Sequence, residues 1–453
     1  MTTPTAPPPG RPSAAAPASA PQVGPFPRPT RANRSAIAAW CLFDWANSAF
    51  NTVIGTFVFS VYFARGIVGD ETAGSALWAQ AMAVSALLIA ILSPVLGAIA
   101  DRAGRRKPWV ALFVALCVVP TGLLWFAGPD PSFLWLALTL AVVATVGHEL
   151  SQVFTNAMLT QVAPARLLGR VSGWAWGLGY LGGLACLATA LFALIGLGPV
   201  APLIPLPTDQ SEHVRASALL VAGWFALFSL PLFWLVRDGE RPTVPISQAV
   251  GEGVRQLRDT VRRLARHGAM VRFLIASALY RDGLSTLFTV GGLYAAGTFG
   301  MGFEQILIFA IGLNVTAGLG AFGFSFVDDR SGSKPTILVA LAGLILVGIP
   351  ILLVSDAAMF IGLALLLGVF VGPAQAASRT LMARLSPAAE QTEFFGLYAL
   401  TGKAAAFLGP TAFAVVTTAF DSQRAGMATI LVFWAVGAAI LWTVRTPRQE
   451  VGD

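Results

Sequence analysis

The chain is written as long apolar runs separated by short polar breaks, not as the alternating pattern of a half-buried strand or the striped pattern of a soluble surface helix. A run must reach roughly 20 residues to cross the hydrocarbon layer as a helix. Twelve do so, at 36–64, 74–100, 108–127, 133–162, 169–198, 215–236, 270–299, 303–327, 336–354, 357–385, 392–420 and 424–445. The ten-residue alternating segments of a membrane barrel are missing. The pattern predicts an all-α membrane protein with twelve transmembrane helices.

A hydrophilic stretch divides these helices six and six. The implied organisation is a tail over 1–35, a first six-helix bundle over 36–236, a loop over 237–269, a second bundle over 270–445 and a tail over 446–453. The first tail is rich in Pro, Ala and Ser and contains no acid. It cannot build a core, which predicts disorder, and it lacks the apolar stretch of a secretory signal. In the dividing loop, Val250, Val254, Leu257, Val261 and Leu264 recur at helical spacing while Arg255, Arg258, Arg262, Arg263 and Arg266 fill the other faces. That predicts an amphipathic helix resting on an anionic membrane surface.

The two halves repeat. Shifted by 238, Asp44, Asn47, Ser48 and Asn51 fall on Asp282, Ser285, Thr286 and Thr289. Shifted by 223, QVFTNAMLTQVAP (152–164) falls on QAASRTLMARLSP (375–387), which sets Gln152 on Gln375 and Asn156 on Arg379. Two pseudo-symmetric bundles with a site between them is the architecture of many secondary transporters.

Composition agrees with the membrane reading. Hydrophobic residues make up 56% of the chain and charged ones only 11%, against about a quarter in soluble domains. The net charge of +7 invites a nucleic-acid reading until the charges are placed. With the N-terminus inside, 23 of the 29 Lys and Arg residues fall in tails and loops on the inner side, and only Arg65, Arg215 and Arg424 lie outside. That asymmetry predicts both termini in the cytoplasm, in the plasma membrane if the source is bacterial, and argues against nucleic acid as a partner. Cys41, Cys117 and Cys186 all fall in predicted helices, so neither a disulfide framework nor a metal site is expected. No Ser-His-acid grouping and no phosphate-binding Gly loop occurs, so neither an enzyme nor a bound cofactor is expected.

The candidate chemistry lies inside the apolar runs. Asp44, Asn47, Ser48 and Asn51 share one helical face, and Thr145, His148, Glu149, Gln152 and Asn156 form a second stripe. A charge near the bilayer centre costs roughly 2.5–3.5 kcal/mol on insertion scales, and such residues normally face a bundle interior or a wet cavity. Asp44, Glu149 and Asp282 balance Arg281, Arg379 and Lys403, which suggests pairing, because an unpaired buried ion is expensive. Being neighbours, Arg281 and Asp282 should not both point straight into a cavity. Asp44, Asn47, Asn51, Glu149, Gln152, Asn156, Asp282, Gln375, Arg379 and Lys403 are therefore the candidate ligands of a substrate or ion.

The stretch GAIADRAGRRKP (97–108) after the second run and its degraded copy DRSGSKP (329–335) after the eighth frame tight basic turns. Here the chain resembles the major facilitator superfamily. Gly97, Asp101, Arg102, Gly104, Arg105 and Arg106 match its loop signature, and Asp329 and Arg330 match the copy. The resemblance implies the major facilitator fold, a cavity lined by the first, fourth, seventh and tenth helices, and a loop acid that latches the cytoplasmic mouth. FDWANSAF (43–50), YRDG (280–283), GPAQAASR (372–379) and FFGLYALTGKAAAFLGP (394–410) are similar to the vacuole effluxer-like branch, whose fungal members export amino acids.

These features predict a monomeric permease that moves a small solute, an amino acid first, by alternating access, with proton coupling through a carboxylate. A carboxylate of the solute would meet Arg379 or Lys403, and an ammonium Asp44 or Asp282. A cation-coupled sugar symporter is the second transport reading, and a transporter-derived sensor the reading from another class.

Overall fold

The computed structural model describes residues 33–196, 200–239, 246–264 and 268–446. Nearly all of both tails lies outside them, as do Arg241 and Arg266 of the dividing loop. The first half comprises α1 (Arg34–Val68), α2 (Glu71–Ala103), α3 (Lys107–Phe126), α4 (Pro131–Ala157), α5 (Ala165–Ile195) and α6 (Glu212–Leu235). The second comprises α7 (Gly268–Phe299), α8 (Phe303–Ser331), α9 (Ser333–Leu353), α10 (Ala357–Leu385), α11 (Ala388–Phe420) and α12 (Gln423–Trp442).

Eleven helices among the described residues are long and apolar enough to span a membrane unaided. The twelfth is α7, which has ample length at 32 residues but is diluted by Arg272, Ser277, Arg281, Asp282, Ser285, Thr286 and Thr289. Its place comes from packing against α11 and α12, which lets those polar groups face protein and cavity instead of lipid. Local signals set the helix boundaries. The side chains of Asn33, Asp70, Asp356 and Ser422 accept backbone N–H groups at the starts of α1, α2, α10 and α12, satisfying donors that the first turn leaves open.

Within the first half α1 packs against α5 and α6, and α3 against α4; within the second, α7 packs against α12, and α10 against α8 and α9. The halves meet along α2–α11, α5–α8, α5–α10 and α4–α11. The first two contacts exchange under the internal repeat, so one pseudo-symmetric interface is built twice. Close approach is possible because glycine lies at the crossing. A Cβ on Gly97 would come within 2.5 Å of the Thr392 carbonyl oxygen, and one on Gly396 within 2.4 Å of that of Ser93. The two basic turns reverse at Gly104 (φ 71) and Gly332 (φ 92), a left-handed conformation that side chains disfavour.

The dividing loop contains the expected helix, Ile246–Leu264, but it does not dock by its apolar stripe. Ala249, Gln256 and Thr260 are buried, and Gly253 sits so near α2 that a Cβ would lie 2.9 Å from the Ile99 nitrogen. Val250 and Val254 are exposed, as are Arg255, Arg258 and Arg262. Small and polar residues spaced i, i+4, i+7 and i+11 thus pack on α2, leaving the valines free to meet lipid. The apolar spacing points to the membrane; the second docking face depends on α2 being in place.

Candidate functional site

Between the halves lies a cavity of about 680 Å³. It begins at Asp44, Asn156 and Arg379 and extends to Ile351, Leu352 and Phe360, within about a turn of the ends of α9 and α10 that lie away from the basic turns. α1 enters it through π-helical turns over Phe50–Phe57. The wider turn offsets the polar stripe, a local irregularity frequent at functional sites.

Nine of the ten candidate ligands line this cavity: Asp44, Asn51, Glu149, Gln152, Asn156, Asp282, Gln375, Arg379 and Lys403. Asn47 is not among the lining residues. It is fully buried, accepting a hydrogen bond from Gln152 Nε2 at 2.8 Å and donating to Ser151 Oγ at 3.3 Å, so it positions Gln152 from behind. Gln375 Nε2 donates across the halves to Tyr180 Oη at 3.2 Å.

At the cavity base Arg379 leaves α10 and enters the first half. Its Nη1 donates to Asp44 Oδ2 at 2.7 Å and Asn156 Oδ1 at 3.1 Å, its Nε to Ser172 Oγ at 2.9 Å and its Nη2 to the Ser172 carbonyl at 2.6 Å. The guanidinium also lies over Trp40 and Trp176, 4.8 and 5.0 Å from their ring centres. Arg379 is 2% exposed and its donors are engaged by protein. A second ion pair also crosses the halves, from Lys403 Nζ on α11 to Glu149 Oε1 on α4 at 2.6 Å. Both partners are partly exposed to the cavity.

Two charges remain. Asp282 accepts the Gly409 N–H through Oδ2 at 2.6 Å, while its Oδ1 has no hydrogen-bond partner among the described residues. Arg281 lies over the Tyr398 ring at 4.2 Å, with Nη1 likewise unpartnered. Both neighbours line the cavity, Arg281 by lying over Tyr398 and Asp282 by reaching Gly409, two separate stations on α11. Arg281 was not a candidate ligand; the mutual pairing of the other four charges singles it out.

At the end bearing the basic turns the cavity is sealed. Asp101 is fully buried as a side chain and accepts from Arg106 Nη2 at 2.9 Å, Thr392 Oγ1 at 2.6 Å and the Glu393 N–H at 2.9 Å. Arg106 adds bonds to Thr392 Oγ1 at 2.7 Å and the Ala157 carbonyl at 3.0 Å. In the repeat, Asp329 accepts the Gly169 N–H at 2.8 Å and Arg170 Nε at 2.7 Å. Each acid thus caps the N-terminus of a helix in the other half, where the helix dipole favours negative charge. Of the basic residues in the motif, Arg102 and Arg330 are exposed, and Arg105 lies 3.5 Å from Asp238 at the surface. The buried arginine of the seal is Arg106. Burial pulls its affinity for a proton down and Asp101 pulls it back up. Spacing alone does not distinguish three basic residues in a row, and only the docked α11 decides which one is enclosed.

Residues 60–451 match the family model described as vacuole effluxer Atg22 like. The chain belongs to that family. It is a major facilitator superfamily transporter, not an enzyme. It is 28% identical to the MFS-type transporter YxiO of Bacillus subtilis (strain 168) over 411 residues, covering 89% of this chain and 93% of that one. It is 23% identical to Autophagy-related protein 22 of Pyricularia oryzae over 334 residues, covering 67% of this chain and 47% of that one. The transporter therefore spans about half the length of its fungal relatives. Among solved structures, the proton:xylose symporter XylE superposes with a TM-score of 0.69 at 15% identity, covering 91% of this chain and 95% of that one. A bacterial homologue of the iron transporter ferroportin in its outward-facing state also gives 0.69 at 15% identity, covering 91% and 99%. At such identities the agreement is one of fold.

Proposed function

We propose that this transporter moves an amino acid by alternating access, outward from the cytoplasm or from an organelle lumen, with the basic turns on the cytoplasmic side. The observation that carries the reading is the cavity itself: it lies between two repeated bundles, is sealed at the basic end and holds both signs of charge in an otherwise apolar wall. A zwitterion is the solute such a wall can strip of water, because each of its charges finds an opposite one. The family resemblance to vacuole effluxers points the same way. In this reading the sealed basic end faces the cytoplasm, and turnover requires the two acid-capped seals to part while the outer half of the cavity closes.

Proton coupling rests on the carboxylates facing the cavity, Asp44, Glu149 and Asp282. The test uses purified protein in liposomes preloaded with labelled amino acids, with release followed with and without an imposed pH gradient. Selective release that is accelerated by the gradient is the expected result. Release indifferent to the gradient removes the proton. No release of any amino acid, with sodium-driven sugar uptake in its place, overturns the amino-acid reading, and no flux of any solute favours a sensor.

A further inference from the structure

Four of the six intramembrane charges pair across the halves: Asp44 and Arg379 are largely enclosed by protein, Glu149 and Lys403 stay partly exposed to the cavity, and Arg281 and Asp282 are the remaining two. They sit at different heights. The Arg281 Nη1 atom lies 3.3 Å from where a Cβ on Gly402 would be, and Asp282 Oδ2 lies 3.0 Å from the corresponding point on Gly409. The glycines lie seven positions apart on α11, on either side of the break in its helix at Ala406–Phe407, so the two groups sit at different levels of the cavity. The ammonium and carboxylate of an amino acid hang from one carbon, so both fit within one of these levels.

The two levels differ in chemistry. At the lower one, Arg281 is within electrostatic reach of Glu149, which is already paired with Lys403. Two cations there share one carboxylate, so the level carries an uncompensated positive charge and has room for a carboxylate, with Glu149 available to an ammonium. At the upper one, Asp282 is 3% exposed, has an unpartnered oxygen and lines the cavity. That level carries an uncompensated negative charge, a setting that attracts a cation.

We propose that the substrates are amino acids with a cationic side chain. The α-carboxylate is held by Arg281 with Lys403, the α-ammonium by Glu149, and the side-chain cation by Asp282. This assignment rests on the amino-acid reading and adds the side chain to it. Arg281 and Asp282 both belong to the second half, so that half would read the solute while the first half closes on it.

The test measures competition for labelled lysine uptake or release in proteoliposomes by three analogues: norleucine, which lacks the side-chain ammonium, lysine methyl ester, which lacks the carboxylate charge, and lysine itself. In the unmodified protein, lysine should outcompete norleucine and the ester by about tenfold or more, the range for one charge-assisted hydrogen bond. Asp282→Asn should erase the preference over norleucine only, and Arg281→Gln the preference over the ester only. If either variant is not recoverable, Asp282→Glu and Arg281→Lys should reduce the same ratios. These ratios are read within one preparation, so a fall in the amount of folded protein leaves them unchanged. Norleucine or the ester competing as well as lysine in the unmodified protein overturns the assignment while leaving amino-acid transport standing. So does an Asp282→Asn variant that keeps its lysine preference and loses only its pH dependence, which would make Asp282 a proton site. Absence of flux for any amino acid overturns both readings.

Discussion

Arg379 shows what a buried charge demands of its neighbours. It is surrounded by Asp44, Asn156, Ser172, Trp40 and Trp176, all from the other half. Removing one partner of a buried pair costs about 3–5 kcal/mol, because the other charge stays behind uncompensated. Asp44→Asn should therefore lower the thermal unfolding midpoint of the detergent-solubilised protein well below that of Asn51→Ala, whose residue is exposed in the cavity. Adding Arg379→Gln to Asp44→Asn should recover part of the loss. An unchanged midpoint for Asp44→Asn would mean that the pair does not hold the halves together. The same reasoning applies to Arg106 beneath the basic turns. Arg106→Ala leaves Asp101 buried without its charged partner, so the α2–α11 seal should open more often, and a cysteine at the buried Ser93 should be alkylated faster than the same cysteine with Arg106 in place.

At the scale of elements, the α2–α11 crossing is governed by glycine. Gly396→Leu would drive a side chain into the Ser93 and Pro94 backbone, which lies 2.4–2.7 Å from the new Cβ. This variant is expected to lose the closed basic end and with it turnover, while still inserting in the membrane, since its hydrophobic runs are untouched. Transport at the parental rate would contradict the close-approach role. The loop helix acts on the same crossing, for Gln256 donates to Glu393 Oε2, and the Glu393 N–H is one of the bonds that hold Asp101. The pair Gln256→Ala/Thr260→Val should loosen this clamp and raise alkylation of the Ser93 cysteine without changing helix content, as read by circular dichroism. These elements also show where sequence reasoning stops. The helix over 246–264 is legible from its spacing, yet the face that docks is the one with Ala249, Gly253, Gln256 and Thr260, which carries no hydrophobic signal. In the site, the polar stripes and the six charges are legible because polar residues inside apolar runs have few explanations. Their pairing is not, because Asp44 and Arg379 are 335 positions apart and only the docked halves bring them together.

For the whole molecule, one interface is built twice, and the alternating-access reading requires it to come apart for turnover. Thr160 Oγ1 and Gln391 Oε1 meet across the halves at the basic end. Cysteines at both positions, joined by a short bifunctional reagent, should stop transport, and a cleavable reagent should restore it on cleavage. Unimpaired transport in the cross-linked protein would argue against rocking of the two halves. The sequence by itself determined the number of spans, their repeat, the basic end and the presence of polar groups in the membrane, because hydrophobic run length and charge asymmetry are local properties read by the bilayer. Only the tertiary structure decided which charges pair with one another, which arginine is enclosed beside Asp101 and which two charged residues, Arg281 and Asp282, line the cavity with an atom left without a hydrogen-bond partner among the described residues. The physical reason is that pairing in a low-dielectric interior depends on separations of a few ångströms between residues far apart in the chain, and those separations exist only after the two bundles have closed on each other.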